Sequence, residues 1–367
     1  MATPLKNGFD ADIPRRIAAM IEAVHPPFPS VDFIAYSLDG YEDLELTPRA
    51  RRIADALALH LPSEPADAIT ILVASLGPKV ERLQGMEPFI YLPHVFYVAE
   101  HGLDCFEESL AAQYELTQRF TAEFSIRAFL DRYPDKTLAR LKEWATDPSM
   151  HVRRLVSEGT RPRLPWAPRL RRFQDDPEPV IELLELLKDD PEEYVRRSVA
   201  NNLNDIAKDH PDLVVEVCQR WFRAASEERR RMVTHGLRTL VKQGNPGALD
   251  VLGFGHDSRI TVEKLAVTPD LARTGEKVVI EARVRNDTAH TSSVLVDFRV
   301  YFVKANGSRT ARVFKGSSFQ LAPGEDHTLR KTVSLAQHTT RTHYPGRHRV
   351  EALLNGVVKA DVWFAVD

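Results

Sequence analysis

Asp147-Pro148-Ser149-Met150-His151-Val152-Arg153-Arg154-Leu155-Val156 and Asp190-Pro191-Glu192-Glu193-Tyr194-Val195-Arg196-Arg197-Ser198-Val199 are two copies of one pattern, 43 residues apart. Each is an Asp-Pro turn followed by a helix that opens on Val-Arg-Arg. A fainter copy, Arg230-Arg231-Met232-Val233, follows 34 residues after Arg196. Repeats of this length are helix pairs that stack into a solenoid with a concave surface, because one pair cannot bury its apolar face alone. The uneven spacing marks the repeats as degenerate, and residues 1–100 carry no clear copy.

Outward from this stretch, residues 10–253 keep a helical period. Apolar residues recur at three and four, as in Ile17, Met20, Ile21 and Val24. Pro26-Pro27, Leu61-Pro62, Gly77-Pro78, Tyr133-Pro134 and His210-Pro211 punctuate it. Proline in the first helical turn, with Asp just before it, is a start signal. About a dozen helices are expected, joined by short turns. Near residue 255 the period changes to two. Val278–Arg285, Val294–Phe302 and His348–Leu354 alternate between apolar and polar, and Asn286-Asp287, Asn306-Gly307, Pro323-Gly324, Pro345-Gly346 and Asn355-Gly356 stand between the runs as turns. About seven strands in a hundred residues is the size of an immunoglobulin-like β-sandwich. The expected architecture is mainly α: a HEAT-like α-solenoid over 1–255 and a C-terminal sandwich over 256–367, with the boundary in Gly253-Phe254-Gly255-His256-Asp257-Ser258.

The 367 residues are too many for one ordinary core and suit two domains. The formal net charge of −3 hides an asymmetry: residues 259–367 hold 17 Lys+Arg against 11 Asp+Glu, and residues 1–258 hold 32 against 41. Cys105 and Cys218 offer no disulfide framework and no zinc spacing, which fits a reducing cytosol. The N-terminus has no secretory apolar segment, and no run approaches membrane-spanning length. A cytoplasmic protein is expected.

Chemistry concentrates in residues 151–172, which hold seven Arg and one acid. The helix with Arg153 and Arg154 runs into a loop, Thr160-Arg161-Pro162-Arg163-Leu164-Pro165-Trp166-Ala167-Pro168-Arg169, stiffened by three prolines. Guanidinium groups grip phosphates bidentately, so this reads as a nucleic-acid surface. The plain alternative is a solvated loop pinned by its tryptophan. Glu158 is the odd residue in that field. It is placed either for an ion pair with Arg154 one turn earlier or to face a developing positive charge. Under the 43-residue offset it aligns with Asn201, which shares a helix with Asn202, Asn204 and Asp205. On periodicity alone that polar patch is a solvent-facing stripe. Thr121 is placed to cap a helix, with Glu123 in its first turn. His94 and His101 lack a third metal ligand and read as structural. No HExxH, Walker loop or Gly-x-Ser-x-Gly elbow is present.

The stretch Val152 to Trp166, with its degenerate repeats, resembles the DNA alkylation-repair glycosylases of the AlkC and AlkD group, and the immunoglobulin-like tail points to the AlkC branch. The resemblance covers essentially the whole chain. It implies a HEAT-like solenoid that holds duplex DNA and hydrolyses the N-glycosidic bond of N3-alkylated bases such as 3-methyladenine and 3-methylcytosine, without flipping the base. It places the family's aromatic and carboxylate set on Trp166, Asp205, Glu158 and Glu123, with Asp205 as the main carboxylate. No metal and no cofactor is implied. The charge pattern, separately from the resemblance, assigns Arg153, Arg154, Arg161, Arg163, Arg169, Arg196 and Arg197 to DNA binding, and offers Arg283, Arg285, Arg299, Arg341, Arg347 and Arg349 of the sandwich as further phosphate contacts or as a solvated sheet face. A DNA-3-methyladenine-type glycosylase acting as a monomer near the nucleoid is the expected function. A non-enzymatic HEAT scaffold and a damage-binding protein share the fold and stay open.

Overall fold

The computed structural model describes residues 5–82, 84–255, 259–337 and 342–367, which hold 16 α-helices followed by eight β-strands. They divide into two compact units, Met1–Asp209 and His210–Asp367. Among the described residues no helix is long and apolar enough to cross a membrane.

In the first unit the repeat signature has a structural cause. Asp147 and Asp190 make Asx turns: Oδ1 accepts from Ser149 N at 2.7 Å and from Glu192 N at 2.9 Å. The helices start just after, at Met150 and Glu193, so Pro148 and Pro191 lie ahead of the first turn rather than within it. The first arginine of each Val-Arg-Arg folds back over its own turn. Arg153 Nη1 donates to the carbonyls of Asp147 and Pro148 at 2.8 and 3.0 Å, and Arg196 Nη1 donates to those of Asp190 and Pro191. Arg153 also grips Asp190 of the next copy with two bonds, 2.6 and 3.0 Å. That bidentate pair ties one repeat to the next. The apolar positions between these braces are fully buried: Val152, Leu155 and Val156 on helix Met150–Gly159, and Val195, Val199 and Leu203 on helix Glu193–Ile206. These two helices pack together, and the earlier one also rests on helix Glu178–Leu187.

In the second unit, four helices between Pro211 and Val251 accompany the sandwich. The strands are β1 Ile260–Thr268, β2 Leu271–Ala272, β3 Lys277–Asn286, β4 Ser292–Val303, β5 Arg309–Leu321, β6 Asp326–Ser334, β7 Gly346–Leu354 and β8 Val357–Val366. One sheet has the order β1-β3-β6, and the other β2-β8-β7-β4-β5. Alternation is clean on β3, where Val278, Ile280, Ala282 and Val284 face the core. The switch from helix to strand falls between Val251 and Ile260, and the expected boundary residues His256 to Ser258 lie outside the described residues. The unit itself begins earlier, because helix residues pack against the sandwich. Gly244 and Gly356, both with left-handed backbone, meet so closely that a Cβ on either would strike the other's backbone, and Asn355 Nδ2 donates to Gly255 O at 2.7 Å.

The sandwich arginines are largely engaged on its surface. Arg283 pairs with Asp326 and Glu263, Arg285 with Asp287, Arg299 with Glu351 and Arg349 with Asp361, while Arg347 lies over the Trp363 ring. Arg341 lies outside the described residues.

Two stability predictions follow from the first unit. Asp190 is 7% exposed and depends on Arg153 for its counter-charge. Arg153→Ala leaves that carboxylate buried and uncompensated, and should cost about 3 kcal/mol in chemical denaturation. Arg169→Ala on the exposed loop should stay within about 0.5 kcal/mol of the parent, and equal losses for both would refute the brace. His94 is fully buried with neither ring nitrogen partnered, and burial pushes its pKa down to about 4. The unfolded chain therefore takes up a proton near pH 6.5 that the folded chain refuses until about pH 4. The stability tied to this ring is complete above pH 6.5 and is lost as pH falls through that window. His94→Phe should gain on the parent by up to about 3 kcal/mol between pH 7 and pH 4, and parallel pH curves for the two would exclude the effect.

Candidate active site

The Arg-rich loop is built from beneath. Arg127, on helix Ser125–Arg132 and 4% exposed, donates to Gly159 O at 3.1 Å, to Arg161 O at 2.7 Å and to Pro168 O. One guanidinium thus pins the last carbonyl of helix Met150–Gly159 and two carbonyls of the loop. Leu164 is buried and anchors the turn, while Trp166 rides outside it, 74% exposed with φ +64°. The tryptophan does not pin the loop to its neighbour. A bulky residue held in the left-handed region costs about 1 kcal/mol or more, and here it offers an aromatic face to solvent.

Behind the tryptophan, six charged groups alternate in sign. Glu123 Oε2 accepts from Arg154 Nη1 at 2.9 Å, and Arg154 Nη2 stands 3.7 Å from Glu158 Oε2. Glu158 Oε1 accepts from Arg161 Nη1 at 2.6 Å, and Arg161 Nε donates to Asp205 Oδ2 at 2.8 Å. Asp205 Oδ1 accepts from Lys208 Nζ at 2.8 Å. The ladder runs Glu123, Arg154, Glu158, Arg161, Asp205, Lys208. Thr121 Oγ1 donates to Glu123 Oε2 at 2.9 Å and accepts from Glu123 N. Thr121 therefore orients Glu123 in the segment ahead of helix Ser125–Arg132 and caps no helix, contrary to the sequence expectation.

Burial sets the electrostatics. Alone it would raise the Glu158 pKa, but Arg154 and Arg161, with a hydrogen bond from Ser198, outweigh it and hold the carboxyl below its usual value. Burial alone would lower the two guanidinium groups. Glu123 and Glu158 instead hold Arg154 well above its ordinary value, and Glu158 and Asp205 raise Arg161. Arg154 also lies over the Tyr194 ring, 5.0 Å from its centre.

These groups border an aromatic-walled cleft of about 260 Å³. Phe89, Phe96, Phe120 and Phe124 form its sides, Trp166 its rim, and Glu123, Glu158 and Arg161 its polar part. Asp205 is 2% exposed and does not line the cleft; it stands one guanidinium behind it. Of the four residues drawn from sequence, Glu123, Glu158 and Trp166 line the cleft, and Asp205 is joined to it through Arg161. The polar patch around Asp205 is not a solvent-facing stripe: Asn202, Asn204 and Asp205 are all buried, and Asn202 Nδ2 donates to Ser157 O and Thr160 Oγ1.

The basic positions divide. Arg169 and Arg197 are exposed. Arg163 holds Asp209 with two bonds. Arg153 and Arg196 brace the repeat turns. Arg154 and Arg161 are paired with carboxylates. Arg127, Tyr194, Ser198 and Lys208 are members of the network that sequence reasoning missed; only Ser198 carried a signal, as a polar residue at an apolar repeat position. Away from the cleft, Asp55, Glu100 and His101 form the one cluster of potential metal ligands among the described residues, with Arg51 already 3.6 Å from Glu100.

Comparison with known proteins identifies the family. Residues 114–239 match the family model "DNA alkylation repair enzyme", and residues 261–367 match "Uncharacterised protein YhaZ, C-terminal Ig-like domain". The chain is 34% identical over 363 residues to the Bacillus subtilis protein YhaZ, covering 99% of each. It is also similar to the Pseudomonas fluorescens alkylpurine DNA glycosylase AlkC, solved bound to DNA containing an abasic site analog, with 36% identity, a TM-score of 0.91 and full coverage of both chains. The repeats, the carboxylate–arginine ladder and the immunoglobulin-like tail are carried on one chain along its whole length, and the chain belongs to the AlkC branch of the DNA alkylation repair enzymes.

Proposed function

We propose that this protein hydrolyses the N-glycosidic bond of cationic N3-alkylated bases, 3-methyladenine and 3-methylcytosine, in duplex DNA, leaving an abasic site and using no metal or cofactor. The observation that carries this reading is the ladder itself: Glu123 and Glu158 stand at an aromatic cleft whose rim is the exposed Trp166.

A 3-alkylated base is already positively charged and leaves without a general acid. As its bond to the sugar lengthens, positive charge appears on the deoxyribose, as in glycoside hydrolysis. Carboxylates fixed beforehand at that place stabilise the charge without reorganising. Glu158, held below its usual pKa and gripped at both oxygens, is such a group, and Glu123 stands beside it. One of them accepts the proton of the attacking water. Asp205 acts through Arg161, and through Lys208 its charge is tied to a side chain that reaches solvent. Trp166 meets the cationic nucleotide with its electron-rich face. Selectivity resides in the charge of the leaving base, so no pocket for a flipped base is required. Arg169 and Arg197, with backbone NH groups, supply phosphate contacts that position the duplex.

Base release from methylated duplex DNA, measured in chelator, tests this. The parent should release 3-methyl bases. Glu158→Gln should lower the rate about 100-fold and Trp166→Ala about tenfold, with duplex binding kept in both. Asp205→Ala, which acts through Arg161, should lower release by less than Glu158→Gln while binding is retained or improved. Loss of binding in step with loss of release would remove the carboxylates from catalysis, and tight binding with no release by the parent would move the protein to damage recognition.

A further inference from the structure

Under the 43-residue repeat, Ser198 occupies the position of Leu155. Both are buried, at 2% and 1% exposure, and the helices that carry them pack together. The repeat asks for an apolar residue there, and the second copy gives up a leucine's burial to place a hydroxyl. The exchange has a counterpart across the interface. Ser198 Oγ lies 2.6 Å from Glu158 Oε2, and Ser157 Oγ lies 2.7 Å from Ser198 Oγ. An ionised carboxylate only accepts, so the Ser198 proton points to Glu158 and its lone pair receives Ser157. Glu158 Oε1 is meanwhile held by Arg161. The two oxygens are gripped from opposite sides, by a guanidinium on one and a hydroxyl on the other, which fixes the plane of the carboxylate.

We propose that Ser198 is a positioning residue for base release, holding Glu158 in the orientation that presents it to the cleft. This rests on the glycosylase reading of the site. The hydroxyl touches neither the cleft nor, on that reading, the substrate; it acts only through Glu158. Without it, the carboxylate can turn toward Arg154 Nη2, which stands 3.7 Å from Oε2. The charged and titratable groups around Glu158 are Arg154 and Arg161 from its own helix and loop, Glu123 from the segment before helix Ser125–Arg132, and Tyr194 and Asp205 from helix Glu193–Ile206. All of them remain when the hydroxyl is removed. Because that bond favours the ionised form of Glu158, its loss also makes the carboxyl easier to protonate.

The test compares the full-length parent with Ser198→Ala and Ser198→Thr. Base release is measured from pH 5 to pH 9, with duplex affinity and melting temperature alongside. Ser198→Ala should lower kcat about tenfold, leave KM and undamaged-duplex affinity within about twofold, and move the acid limb of the rate to higher pH. Ser198→Thr, which keeps the hydroxyl, should restore most of the rate and return the acid limb. An unchanged kcat and acid limb in Ser198→Ala would overturn the proposal, as would a kcat that falls only as the protein melts. If the parent itself releases no base, the glycosylase reading fails separately. Ser198 is then judged by carbon NMR titration of the Glu158 carboxyl: an upward shift in Ser198→Ala supports the contact as an orienting one, and an unchanged titration refutes it.

Discussion

The pairing of Glu158 with Arg161 is the interaction on which the site depends. Both side chains are about nine-tenths buried, and either alone would be an uncompensated charge in a poorly solvated place. Together they offset one another's desolvation only if every remaining lone pair and proton is also satisfied. The structure meets that demand by extension. Arg161 reaches on to Asp205, Asp205 to Lys208, Glu158 back toward Arg154, and Arg154 to Glu123. The ladder ends where solvent begins, at Lys208. Such a chain is rigid because no member can move without stranding its neighbour, and a site that works by fixed charge needs that rigidity.

The repeat supplies the frame, and the site appears where the repeat is broken. The first arginine of each Val-Arg-Arg has one task in both copies, folding over its Asp-Pro turn. The second diverges: Arg154 is drawn into the ladder, while Arg197 stays exposed. One turn later the same register gives Glu158 in the first copy and Asn201 in the second, and the buried Leu155 position becomes Ser198. A stack of identical repeats would present identical faces. Functional asymmetry comes from a few polar exchanges at positions whose backbone the repeat already fixes.

This division explains what could be read from sequence. Periodicity showed the helices, the Asp-Pro turns, the change to strands near 255 and the pairing of the two copies, because those follow from local preference and apolar spacing. The resemblance named Glu123, Glu158, Asp205 and Trp166; three of them line the cleft and Asp205 reaches it through Arg161. Partners were less legible. Arg153, Arg154 and Arg161 read as phosphate ligands because a guanidinium in sequence shows only its charge, and the carboxylates that claim these three lie 31 to 44 residues away, apart from neighbouring Glu158. Asn202 and Asp205 looked solvent-facing for the same reason: a period of 3.6 identifies a face, but not whether another helix covers it. Arg127 left no trace, since its targets are backbone carbonyls with no sequence signature.

The ladder also resolves a tension in the Arg-rich loop. Bare carboxylates would repel a phosphate backbone, and a field of bare arginines would repel a cationic base. The six charges of the ladder sum to zero, so from the distance of a phosphate the site is nearly neutral. At close range it is not, because opposite charges a few ångströms apart leave a steep local field whose sign depends on which atom is nearest. On the proposed reading, phosphates are held by exposed groups such as Arg169 and Arg197, while the sugar alone comes near enough to feel Glu123 and Glu158. Charge that develops only in the transition state is then stabilised by groups that scarcely affect binding of the ground state, and that differential is what accelerates a reaction.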